Sequence, residues 1–160
     1  MKRIFAISDL HVDYKQNLDW VGNLSDSDYK NDTVIIAGDI TDNAILFSQT
    51  LETMVNKFEH VFFVPGNHDL WIRKNDVKNS LDKFHLLIEI CEMLGVKTRP
   101  FIFNYNIEND NEKICIQPVF SWYVKPEEGD DSLFMGMIIT TGFALGGEPV
   151  SDSACGPGLI

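Results

Sequence analysis

Short apolar runs alternate with amphipathic stretches along the first hundred residues. Arg3 to Ser8 encloses the run Ile4-Phe5-Ala6-Ile7 and predicts a buried strand. Thr33-Val34-Ile35-Ile36-Ala37 predicts a second and Val61-Phe62-Phe63-Val64 a third. Between them, apolar residues recur at spacings of three and four. Leu18, Val21 and Leu24 mark a short helix over 17–24. Ala44, Phe47, Leu51, Met54, Val55 and Phe58 mark one face of a longer helix, with Thr41 or Asp42 as its cap. Val77, Leu81, Phe84, Ile88 and Cys91 mark a third, capped by Asn75 or Asp76 and stopped by Gly95. Strand and helix in strict alternation predict an α/β domain with parallel pairing. Phe101–Tyr105 and Lys113–Gln117 then read as two strands of a hairpin, and Pro118–Tyr123 as a stretch continuing along the sheet.

The pattern changes near residue 128. The last basic residue is Lys125, and seven of the 11 glycines lie beyond that point. Leu133 to Gly147 carries no charge and is shorter than the ~18 apolar residues of a membrane span. We therefore divide the chain into residues 1–132, a folded domain, and 133–160, a Gly-rich apolar tail outside it. Of three readings of the tail, an unpacked end is favoured. A strand completing a sheet edge comes second and membrane association last. The opening apolar run is too short for a signal peptide, which predicts a cytoplasmic protein.

Net charge and cysteines narrow the chemistry. A formal charge of −11 excludes a broad electrostatic grip on nucleic acid, which needs a basic surface. It leaves phosphate substrates open, because a bound metal locally reverses the field. Cys91, Cys115 and Cys155 are odd in number and form no CxxC pair, so reduced thiols are expected.

All three predicted strands end in reactive groups: Asp9-Leu10-His11, Gly38-Asp39-Ile40-Thr41-Asp42, and Gly66-Asn67-His68-Asp69. Parallel strands share a direction, so these ends converge on one edge, where α/β proteins place their sites. Carboxylate, imidazole and amide oxygen suit Mn²⁺, Fe or Zn²⁺, and Mg²⁺ less specifically. A carboxylate such as Asp39 can bridge two metals that clamp a phosphoryl group. Taken singly, each Asp reads more simply as a turn residue. His60 reads as part of a helix-to-strand connection, His85 as a packed or half-exposed helix residue, and Trp71 as packing first and as the lining of a substrate pocket second.

In order and context, these three segments resemble the calcineurin-like metallophosphoesterases, whose signature is DxH, GDxxD and GNH followed by an acid. The resemblance covers about residues 2–125. It implies the N-terminal portion of a four-layer α/β/β/α sandwich. It implies two divalent metal ions, the first on Asp9 and His11, Asp39 bridging, and the second on Asn67. His68 becomes the general acid or charge stabiliser, oriented by Asp69, with Asp42 structural. The family's pattern closes with a lone His and a Gly-His-x-His segment, whereas no histidine follows His85 here. That departure reads as a C-terminally truncated form. The expected function is hydrolysis of a phosphate ester by metal-activated water. The alternative is a non-catalytic metal-binding or protein-interaction remnant of the fold.

Overall fold

The computed structural model describes residues 2–72, 77–104, 113–119, 121–122, 137–138 and 142–143. Strands β1 (Ile4–Ile7), β2 (Thr33–Ala37) and β3 (His60–Val64) form a parallel sheet in the order β1-β2-β3. Ile4 faces Thr33 across the first ladder, and Thr33 faces His60 across the second. Helices α1 (Lys15–Gly22), α2 (Ala44–Lys57) and α3 (Ser80–Leu94) supply the connections. After α3 the chain returns beside β3. Lys97 N donates to Val61 O at 2.8 Å, and Phe63 N to Lys97 O at 3.0 Å.

β2 and β3 are apolar at nearly every position because both of their faces are covered. Val34, Ile36, Val61 and Phe63 pack with Phe47, Leu51, Met54, Leu87 and Cys91 of the helices. The alternate residues Ile35 and Phe62 pack on Phe103 and Ile116. Those two belong to a second sheet, in which β4 (Phe101–Asn104) and β5 (Lys113–Gln117) run antiparallel, with Phe101 opposite Ile116. This is the expected hairpin. Helices, parallel sheet and antiparallel sheet are three layers of the expected sandwich. Of the remaining strands, β6 (Ser121–Trp122) pairs with β7 (Met137–Ile138), and β8 (Gly142–Phe143) pairs with β5. The stretch expected to continue along the sheet therefore departs from it at β6.

Several local expectations are corrected. The cap of α2 is Asn43, whose Oδ1 accepts from Ile45 N and Leu46 N at 3.0 and 3.1 Å. Thr41 is diverted, donating its hydroxyl to Asp13 and accepting from Asn43 N. The cap of α3 is Asn79, and Asp76 and Asn75 lie outside the described residues. The buried face of α3 is Lys83, Leu87, Ile90 and Cys91, while Leu81 is 64% exposed. Counting apolar residues alone misplaces that face because a lysine lies on it. The Lys83 stem is packed inside, and its Nζ reaches Asp42 O at 2.8 Å. His60 opens β3, edge-on to Phe101 and Phe103, and burial lowers its pKa. Cys115 is disulfide-bonded rather than reduced, whereas Cys91 is a buried free thiol.

Candidate metal centre

The carboxyl ends of β1, β2 and β3 lie side by side because the strands are parallel and in register. Beyond β1 the pairing continues through a kinked loop. Asp9 N donates to Gly38 O at 3.2 Å, His11 N to Asp39 O at 3.0 Å and Val12 N to Ile40 O at 3.0 Å. The kinks are left-handed residues, Asp9 at φ 54°, His11 at φ 42° and Asp39 at φ 57°. Non-glycine residues in this region cost on the order of 1–3 kcal/mol each and gather at functional sites. Here all three belong to the expected ligand set.

The side chains of Asp9, His11 and Asp39 offer ligand atoms that all lie within 4.8 Å of one another. His11 Nε2 stands 3.7 Å from Asp9 Oδ1. Two carboxylates and one imidazole in that space fit a single divalent ion of the hard-to-borderline kind. Asp39 Oδ1 also accepts from His68 N at 2.9 Å, which ties the end of β2 to the turn after β3. Asn67 lies in that turn. The His68 ring meets the His11 ring edge-on, with centroids 4.8 Å apart. His60 lies at the opposite end of β3, and His85 lies on α3.

Asp69 holds the arrangement together. It is fully buried, and its oxygens accept from four backbone N–H groups: Asp39 and Ile40 at 2.8 Å, Thr41 at 3.1 Å and Gly66 at 2.8 Å. Burial pushes the carboxyl up to about 6, against the pull of those donors. Asp69 is expected to orient His68, and the hydrogen bonds its oxygens make are these four. Its oxygens face the backbone of the Asp39 loop, which a strand-end pattern does not reveal. Trp71 meets the His68 ring, stacked at 3.8 Å between centroids with 28° between the planes. Sequence reasoning gave Trp71 to packing. The usable signal was an aromatic three residues after a histidine in a turn, and Trp71 N does donate to His68 O at 3.1 Å.

Among the described residues, no helix is long and apolar enough to cross a membrane.

The chain is 31% identical over 97 residues to the [acyl-carrier-protein] phosphodiesterase PptH of Mycobacterium tuberculosis, covering 59% of this chain and 30% of that protein. It is similar in structure to the crystal structure of phosphopantetheinyl hydrolase (PptH) from the same organism. The TM-score is 0.62 at 25% identity, over 76% of this chain and 44% of the other. The chain thus spans less than half the length of the relatives it matches. Residues 2–137 match the calcineurin-like phosphoesterase family, and the chain belongs to that family.

Proposed function

We propose that this chain is a metal-dependent phosphoesterase that cleaves a phosphate ester with water. The observation that carries the reading is the convergence of Asp9, His11 and Asp39 donor atoms within 4.8 Å, with the His68 ring packed on His11. Asp9, His11 and Asp39 would hold a first divalent ion, and Asp39 with Asn67 would hold a second. Such ions supply charge neutralisation at the phosphoryl oxygens and a nucleophilic hydroxide at neutral pH. His68 donates a proton to the leaving oxygen or stabilises its charge. Asp69 keeps the Asp39 loop in the shape that presents its carboxylate. The relatives' names make a phosphodiester the first linkage to assay, with an acyl carrier protein as the first macromolecular substrate.

The test uses the full chain with Mn²⁺, bis(p-nitrophenyl) phosphate and p-nitrophenyl phosphate. Turnover that disappears in Asp39→Asn is the expected result, and with an added alkyl phosphate ester, whose alkoxide leaving group needs a proton, His68→Ala should lower turnover about 10²–10⁴-fold. Unchanged turnover in Asp39→Asn would sink the reading.

A second reading rests on a specific observation. Among the described residues, the one group of three clustered carboxylate, imidazole or thiol ligands is Asp9, His11 and Asp39, which leaves a second ion without a comparable set of its own. A metal-binding module without turnover would titrate one ion by calorimetry and leave both esters intact.

A further inference from the structure

We propose that Trp71 is a positioning residue whose indole fixes the His68 imidazole over the metal-ligand cluster. The inference rests on the role given to His68 above. The backbone on either side of His68 is already tethered. His68 N donates to Asp39 Oδ1, Leu70 N to Asn67 O, and the Asp69 carboxylate binds Gly66 N. The imidazole itself has no such tether. Among the described residues, no side chain hydrogen-bonds to it. Among the described residues, two ring contacts set its orientation, one at 4.8 Å and 76° to His11 and one at 3.8 Å and 28° to Trp71. His11 is committed to the ligand cluster, so the indole is the independent wall.

The exposure of Trp71 fits this role better than core packing does. It is 49% exposed, although Leu70 beside it packs against the main core. The turn bends the chain back so that residue 71 covers residue 68, and the Trp71 N–H to His68 O bond at 3.1 Å fixes that bend. Stacking against the indole restricts the imidazole to one plane. A proton donor must lie within reach of the leaving oxygen in the correct plane, so a freely rotating imidazole spends much of its time misaimed.

Two readouts test the proposal in the full chain, using Trp71→Ala and Trp71→Phe. The first needs neither metal nor turnover. In the metal-free protein, NMR should show cross-relaxation between the indole and the His68 ring, with the imidazole protons moved upfield by the ring current. Trp71→Ala should return them toward ordinary histidine shifts, and Trp71→Phe should keep most of the displacement. Shifts that do not move in Trp71→Ala overturn the stacking and with it the proposal. The second readout uses Mn²⁺ and a series of phosphate esters with leaving groups from nitrophenolate to alkoxide. Trp71→Ala should lower kcat about 3- to 10-fold for alkoxide esters, leave KM within twofold, and barely change nitrophenyl esters, which need little proton donation. Trp71→Phe should restore most of the loss. A raised KM with unchanged kcat makes Trp71 a binding wall and overturns the positioning role. If the wild-type chain turns over no ester but the NMR displacement is present, the phosphoesterase reading fails while the ring clamp stands. Trp71 is half exposed, so both variants should melt within a few degrees of wild type.

Discussion

A methyl group on Gly66 would sit 2.1 Å from Asp39 Oδ1 and 2.7 Å from Asp39 N. Neither atom can retreat cheaply. The oxygen accepts from His68 N, and the nitrogen donates to Asp69. Gly38 is bound by the same geometry, at φ 84° and with its own added Cβ 2.5 Å from Gly66 N. The two loops therefore touch backbone to backbone, and each glycine excludes a side chain where the ligand cluster is built. Gly66→Ala should cost about 1–3 kcal/mol in stability through overpacking. It should also weaken metal binding about 10- to 100-fold, because it displaces the support of a ligand. Chemical denaturation and Mn²⁺ calorimetry on the same preparation check both, and wild-type affinity in the variant would contradict the close approach. The ligand types were legible in the sequence, because carboxylates and imidazoles at strand ends have few other reasons to recur together. The work of Asp69 was not legible. Accepting from four N–H groups depends on how closely two loops approach, and no spacing within either loop encodes that.

At the scale of elements, the opposite end of the sheet is fixed by Asp32. Its carboxylate accepts from Arg3 N at 2.8 Å and from Arg3 Nε at 2.9 Å, and its carbonyl accepts from Glu59 N at 2.9 Å. One residue thus gathers the starts of β1, β2 and β3. Hydrogen bonding from the Arg3 side chain holds the Asp32 carboxyl below its ordinary value of 3.8. The sign follows from linkage. A carboxylate with a depressed folded pKa adds stability that is fully present above the unfolded value and lost as pH falls through the folded one. Arg3 is half exposed, so solvent screens the pair and holds its worth near the lower end of the range. Asp32→Asn should therefore cost about 1 kcal/mol at pH 7. The gap to wild type should close as pH drops below 3.8. Urea melts at pH 7 and pH 3 measure it, and a gap that widens in acid would contradict the assignment. Strand positions were readable because β2 and β3 are apolar throughout. Helix caps and the face of α3 were not. Asn43 and Asn79 cap where neighbouring polar residues looked equally able, and Lys83 is buried through a tertiary bond to Asp42 O.

Among the described residues, the molecule has two cores of unequal size on the two faces of one parallel sheet. The helix-side core gathers residues from all three strands and all three helices. The other consists of Ile35, Phe62, Phe103 and Ile116, with Ile4, Phe101 and Ile114 partly buried around them. Local stability follows the apolar contacts that an opening must break, so the two faces should open at different free energies. Among the described residues, the β4–β5 hairpin packs on the smaller core, whereas β2 shares both. The sequence held the alternation that creates the two faces, since Val34 and Ile36 point one way and Ile35 the other. It did not show how much chain covers each, because that depends on which later segments fold back. In native-state hydrogen exchange, the strand amides of β4 and β5 should exchange at least about tenfold faster than those of Val34 to Ile36, after correction for intrinsic rates. Urea should accelerate the hairpin only weakly, because its opening exposes little surface, while β2 should follow the global slope. Mn²⁺ should then raise protection in β2 more than in the hairpin, since Asp39 lies at the end of β2 and the ligand cluster stands at that edge of the parallel sheet. Equal protection of hairpin and β2, with equal urea slopes, would mean that the two faces unfold as one unit.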